Sequence, residues 1–303
     1  MADYQVLEIL ENYSRLPKIT GKEVIRVPLF VKCAKAIRLL LTLNTCLAII
    51  KLFRLPNFII LKKHRPWIVF KYAGHYYLGR SFDSKCRGAI MINHYGFLYN
   101  HLPKDFVEKI ITSKLVLWKM RQGDKLYTVT ITFPYHDTEG DIGLTFNIDG
   151  CEISKASFTI IKGHMVGIDN DNVIMIARVQ GSDGKFDLIR QATKELNEVA
   201  PHVILVIAIQ AIASALNIES IAGITCKEHV DSDYIRFDYD EFWMSMGGDK
   251  INEQVFCVPT KPDNKPMAMV KANHRCRTKR KRQFKLDIYD QVTLAFKQKF
   301  LNL

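Results

Sequence analysis

The residues best placed to do chemistry fall in one stretch, Val173–Leu196, which reads VIMIARVQGSDGKFDLIRQATKEL. The pattern is a strand, a glycine-rich turn and an amphipathic helix. A turn that feeds a helix N-terminus presents backbone N–H groups and the positive end of the helix dipole, which suits a phosphate or pyrophosphate. Arg178, Gln180, Gly181 and Gly184 are therefore the candidate cofactor-binding residues. The arginine offers charge-assisted hydrogen bonds, and the glycines let the backbone come close. Asp183 sits in the same turn and opposes an anion. The alternative is a turn that only reverses the chain.

Glu228 and His229 follow the next strand and form the candidate catalytic pair, a strand-end carboxylate and imidazole able to move a proton. Asp238, Asp240 and Glu241 have the chemistry to hold a metal or an amine, although acidic strand-end residues are more often capping or solvated. No residue is assigned to a metal. P-loop, HExxH, GxSxG, GxGxxG and paired CxxC signatures are all absent, which argues against the enzyme classes they mark.

These residues need a scaffold, and the periodicity supplies one. Residues 1–120 read as a basic, mostly helical region, 121–260 as an α+β core, and 261–303 as a Pro-containing linker with a basic helix. Strands are expected at Leu126–Phe133, Leu144–Ile148, Glu152–Ile161, Val173–Val179, Ser220–Cys226, Tyr234–Tyr239 and Val255–Val258. Asp149-Gly150 supplies the positive φ angles of a two-residue hairpin. Trp67–Tyr72 reads as a short extended piece. Helices are expected at Asp83–Tyr99, Phe186–Val199, Pro201–Leu216 and Phe284–Leu301. The fold class is α+β, a mixed, mainly antiparallel sheet with packed helices.

Charge is unevenly spread over this scaffold. The chain is 303 residues long with 43 Lys and Arg against 31 Asp and Glu, net +12. Lys22–Arg87 holds 14 basic residues against Glu23 and Asp83, and Lys271–Leu303 holds 10 against Asp287 and Asp290. The middle is net acidic. Lys32, Lys35, Arg38, Lys51 and Arg54, with Arg275, Arg277, Lys279, Arg280, Lys281 and Arg282, form candidate lipid- or anion-binding arms. Nucleic acid is the less favoured partner, because no reader fold or aromatic platform accompanies the charge.

Two apolar stretches bear on membranes. Leu39–Ile50 is too short to span, because a helix needs about 20 residues. It reads as a core helix or one lying on an anionic leaflet. Val199–Ile218 is long enough, yet it holds Pro201, His202, Gln210, Ser214 and Asn217, and it reads as a buried core helix. The N-terminus, MADYQVLEILENYS, does not read as a signal peptide. Seven scattered cysteines without paired spacing read as free thiols of a cytosolic protein.

The Arg178–Gly184 turn resembles the pyrophosphate turn of the GNAT acyltransferases, R/Q-x-x-G-x-G/A, except that Asp183 stands in place of the last small residue and Gly184 comes one place late. That resemblance implies a GNAT-like core with acyl-CoA as cofactor. A second helix before the next strand is extra to it.

The order of motifs over roughly 60–295 resembles the VirK/YbjX-type family. It runs Tyr77-Leu-Gly-Arg80, Asn93-His94-Tyr95-Gly-Phe-Leu98, the strand pair Gly143–Phe158, Ala177–Gly181, Ile189–Lys194, Pro201, Ile221–Thr225 with His229, and Phe237–Trp243. The resemblance implies a bacterial factor, cytoplasmic or peripheral on the inner membrane. It would support envelope traits: display of surface virulence proteins and tolerance of antimicrobial peptides. An envelope protein or lipid would then be its partner or substrate. It brings no established catalytic residues. The opposing class is a non-catalytic factor that binds anionic lipid or protein.

Overall fold

The computed structural model describes residues 42–74, 76–134, 137–234, 236–262 and 266–301. The helices, in chain order, are α1 Leu43–Leu52, α2 Ile59–His64, α3 Ser84–His101, α4 Phe106–Thr112, α5 Phe186–Glu195, α6 Pro201–Ala215, α7 Tyr239–Ser245 and α8 Arg275–Phe300. The strands are β1 Leu115–Gln122, β2 Lys125–Thr132, β3 Ile142–Ile148, β4 Cys151–Ile161, β5 Val173–Gly181, β6 Ser220–Ile224, β7 Asp249–Lys250 and β8 Val255–Val258. They form one sheet in the order β1-β2-β3-β4-β5-β6-β8-β7. Every neighbouring pair is antiparallel except β5 and β6. The α+β, mainly antiparallel expectation holds.

The β3–β4 hairpin forms where Asp149-Gly150 placed it, with φ of 50° and 80° at the two turn residues. The parallel pair needs a crossover, and α5 and α6 provide it. Pro201 opens α6, where its missing N–H costs nothing. Apolar almost all round, α6 is buried against β3, β4, β5 and β6. The second apolar stretch is thus a core helix.

α8 crosses α6 and β1 and buries Ile288, Val292, Phe296 and Phe300, one per turn. Its first turns carry the basic cluster, so the helix begins at Arg275 and not at Phe284. On the N-terminal side, Asp83 caps α3 by accepting from the Cys86 N–H at 2.7 Å. Asn93 and His94 of α3 then hold the backbone of Ile160 in β4: Asn93 Nδ2 donates to its carbonyl at 3.2 Å, and its N–H donates to His94 Nδ1 at 3.1 Å.

Three further expectations are corrected. Leu115–Gln122 is a strand inside the region read as helical, paired with β2 across a bulge near Val116–Trp118; the Lys119-Met-Arg-Gln122 run disguises its alternation. Pro66–Ala73 is a 3-10 helix and not extended, because Ile68, Val69, Phe70 and Tyr72 are all buried and need more than one face. The described residues of Tyr234–Tyr239 do not form a strand. Asp238 accepts from the Glu241 N–H at 2.9 Å and starts α7, and Phe237 turns in against His202, Tyr239 and Phe242.

Among the described residues no single helix is long and apolar enough to cross a membrane. Leu43–Leu52 and Pro56–His64 reach that length and composition only as a pair bent by 91°. Cys46, Cys86, Cys151, Cys226, Cys257 and Cys276 are free thiols; Cys33 lies outside the described residues.

Candidate functional site

The sheet has an apolar face and a hydroxyl-bearing one. Along β2, Tyr127, Val129 and Ile131 alternate with Thr128, Thr130 and Thr132. Thr130 and Thr145 meet at 2.6 Å, and Asn147 Nδ2 donates to both, at 3.3 and 3.2 Å. Ser157 of β4 pairs with Arg178 of β5 in the same row. Two buried ionic clusters lie beside this surface, at Glu139 and Asp141.

Asp141 is completely enclosed. Lys71 Nζ and the Tyr95 hydroxyl donate to one carboxylate oxygen, each at 2.8 Å. Thr159 Oγ1, at 2.8 Å, and the Tyr77 hydroxyl donate to the other. Burial opposes ionisation, yet Lys71 and these donors outweigh it and hold the carboxyl well below the usual range. Burial also lowers His94 to about 4.

Glu139 is built differently. It is ion-paired with Arg178, whose guanidinium also donates to Gln180 Oε1 at 3.0 Å. His229 Nε2 faces the same carboxylate at 3.7 Å. The Asp231 N–H donates to His229 Nδ1 at 3.1 Å, so the proton of the neutral imidazole sits on Nε2. Burial lowers His229 from 6.5 to about 4 and raises Glu139, with Arg178 pulling Glu139 the other way. The His229 ring stacks on Tyr239 at 5.1 Å. Neither Arg178 Nε nor His229 Nε2 has a hydrogen-bond partner among the described residues.

Space opens on both sides of this cluster. A cavity of about 290 Å³ over the hydroxyl face is lined by Glu139, Arg178, Ser157, Thr130, Thr132 and Lys155, among others. An open groove of about 630 Å³ is lined by Gln180, Gly181, Asp183, Phe186, Asp231 and Tyr234, among others. Phe186 and Tyr234 are 72% and 87% exposed on its walls.

β5 and β6 pair only through Val173–Ile176 and Ser220–Gly223. Beyond that they part, and the Val179 N–H donates instead to the Tyr239 hydroxyl at 3.1 Å. The neutral Tyr239 is favoured by burial, which raises its pKa.

The structure therefore brings Arg178, Gln180 and His229 together and leaves Glu228 and Gly184 out of the cluster. Glu228 Oε1 accepts from the N–H and the hydroxyl of Ser81, both at 2.8 Å, a clamp on the Tyr77–Arg80 loop. Gly184 is an exposed turn residue at φ 70°. Gly181 lies against α5: a Cβ there would come within 2.6 Å of Ile189 Cδ1. A side chain there would have to displace the end of Ile189.

Asp238 caps α7, and Asp240 accepts from the Cys226 N–H at 2.8 Å, so the acidic trio is structural at these two members. Glu139, His229 and Asp231 bring ligand-type atoms within 4.8 Å of one another. The Arg178 guanidinium already supplies their cation, so the cluster as built does not fit a divalent ion.

Of the candidate basic residues, Lys32, Lys35 and Arg38 lie outside the described residues. Lys51, Arg54, Arg275, Arg277, Lys279 and Arg280 are exposed, and Lys281 and Arg282 are half-buried. Arg277 is ion-paired with Glu198, and Arg275 Nε donates to the Val270 carbonyl at 3.0 Å. Sequence reasoning missed Glu139, which sits in a short polar connection between β2 and β3 with no motif around it.

No solved structure matches the chain. It is 23% identical over 260 residues to "Uncharacterized protein YbjX" of Escherichia coli (strain K12), covering 80% of this chain and 72% of that protein. A family model described as "Protein of unknown function (DUF535)" matches residues 32–295. With that span and the motif order from Tyr77 to Trp243, the chain belongs to the DUF535 family, a VirK/YbjX-type family.

Proposed function

We propose that this protein transfers an acyl or aminoacyl group from a thioester donor such as acyl-CoA, at the Glu139–Arg178–His229 cluster. The reading rests on one observation: a parallel strand pair that parts beside a glycine turn, with an open groove and two unpartnered buried N–H donors at the parting. The strand order supports a GNAT-like core, since β8 inserts between β6 and β7 next to the parallel pair.

In this reading the donor lies along the Gln180–Phe186 groove. An amine or hydroxyl acceptor attacks the thioester carbonyl from the cavity side. Glu139, its basicity raised by burial, accepts the acceptor's proton as the new bond forms. The thiolate leaves and is protonated, giving amide or ester plus free thiol. Glu139 is the base in this reading, and His229 Nε2, 3.7 Å from it and without a hydrogen-bond partner among the described residues, offers its N–H to the substrate. Arg178 Nε holds the thioester carbonyl oxygen of the bound donor and stabilises it as the oxyanion. Basic residues such as Lys51, Arg54, Lys279 and Arg280 would hold the protein at the inner leaflet, where its envelope substrate lies.

The test is a thermal-shift and calorimetric titration of the full chain with acetyl-CoA and longer acyl-CoAs. Wild type should be stabilised. Phe186→Ser and Tyr234→Ser, both at exposed positions, should weaken that stabilisation without lowering the unliganded melting temperature. No shift with any acyl-CoA would remove the enzyme reading and leave the lipid- or protein-binding one.

A further inference from the structure

The hydroxyl-floored cavity has its own chemistry, independent of whether an acyl group is transferred. Its hydrogen-bond inventory is unbalanced. Thr130 and Thr145 both accept from Asn147, and one of the two donates to the other. Two hydroxyl protons minus that one bond leave one proton directed elsewhere.

Lys114 and Lys155 stand at the rim, where neither makes an ion pair within 4 Å among the described residues. The Ser157 hydroxyl is spent on the Glu139 carbonyl at 2.6 Å. Against these donors the lining places two carboxylates, Glu139, which is already paired, and Glu152 at the rim. A cavity that is rich in donors and cationic at its mouth selects a ligand that is rich in acceptors and anionic.

We propose that this cavity binds a phosphate ester, with the phosphate between Lys114 and Lys155 at the rim and the alcohol part over the threonine floor. At about 290 Å³ it holds a headgroup-sized molecule and leaves any acyl chains outside. The same chemistry is offered by a soluble phosphomonoester and by an anionic phospholipid headgroup. The experiment distinguishes them.

The full chain is titrated with glycerol 3-phosphate by calorimetry, and with vesicles of pure phosphatidylcholine or of phosphatidylcholine with 30% phosphatidylglycerol by sedimentation, in parallel with Lys114→Gln/Lys155→Gln. Both lysines have solvent access, so the double variant should keep the wild-type melting temperature and any acyl-CoA shift. It should bind its phosphate source at least tenfold more weakly than wild type. Loss on glycerol 3-phosphate assigns a soluble ester, and loss only on phosphatidylglycerol vesicles assigns a lipid headgroup. Binding unchanged in the double variant, or no binding of either probe by wild type, overturns the proposal. The retained acyl-CoA shift separates this failure from a failure of the transfer reading.

Discussion

Two carboxylates two residues apart, Asp141 and Glu139, end up in clusters of opposite character. Asp141 meets Lys71, Tyr77, Tyr95 and Thr159, so its two oxygens share four donors and the site is closed. Glu139 meets Arg178 and faces His229 but leaves two donor nitrogens without partners among the described residues, between a cavity and a groove. Both carboxylates are buried, and both have a cation. The difference lies in completeness: a satisfied buried cluster fixes the fold, while an unsatisfied one that borders open space is held ready for a ligand. His94 Nε2, unpartnered beside the Asp141 cluster, is the exception, and its other nitrogen is spent on Ile160.

Breaking the closed cluster should cost most. Asp141→Ala leaves Lys71, only 5% exposed at its side chain, without its charge partner. Removing one member of a buried pair costs about 3–5 kcal/mol, so denaturant unfolding should show a loss of that order. Glu139→Gln should cost less, because Arg178 is 14% exposed and borders the cavity.

Acid should reveal three depressed imidazoles next. His94, His202 and His229 have folded pKa values of about 4 against an ordinary 6.5. Between those values the unfolded chain takes up protons that the folded chain refuses, so stability is full above pH 6.5 and falls as pH drops toward 4. Asp141, depressed in the fold, adds a further loss below its ordinary 3.8. Replacing His229 with Gln should flatten the first part of a melting-temperature profile from pH 7 to 4; an unchanged profile would show that this imidazole is not held neutral by the fold.

Gly181 tests whether the turn is packed or poised for phosphate. Gly181→Val should destabilise the unliganded protein by about 1–3 kcal/mol through overpacking against Ile189. Ile189→Ala in the same chain should recover part of that loss. Full additivity of the two losses would contradict the packing account.

Much of this fold was legible because its signals are local. The Asp149-Gly150 hairpin, Pro201 at the start of α6 and the strand-turn-helix at Val173–Leu196 are each set by a few neighbouring residues. β1 was not legible, since Lys119, Arg121 and Gln122 face solvent at a sheet edge and look helical. Tyr234–Tyr239 alternates like a strand, but Phe237 and Tyr239 pack inward while Tyr234 is exposed, and Asp238 starts a helix. The site was half legible: Arg178, Gln180 and His229 were found from the elements that end near them. Glu139 arrives from a connection 39 residues before Arg178, and only the tertiary fold brings the two together.

The smallest effect belongs to the exposed basic surface. Binding to vesicles should require acidic lipid and fade with added salt. Lys279→Gln and Arg280→Gln should each weaken it by about 1 kcal/mol. Equal binding to neutral vesicles at high salt would contradict an electrostatic attachment.

The most direct test of the open cluster is to remove its charges in pairs. Glu139→Gln/Arg178→Gln deletes both members of the ion pair, so neither is left buried alone, and the fold should survive with little change in melting temperature. The acyl-CoA-dependent thermal shift is then measured beside wild type and beside Lys71→Gln/Asp141→Asn. The account predicts that the first double variant melts normally and loses the shift, while the second, in which the Tyr77, Tyr95 and Thr159 hydroxyls also lose the carboxylate they donate to, melts early and keeps it. A shift retained in Glu139→Gln/Arg178→Gln would contradict the assignment of this cluster as the working site.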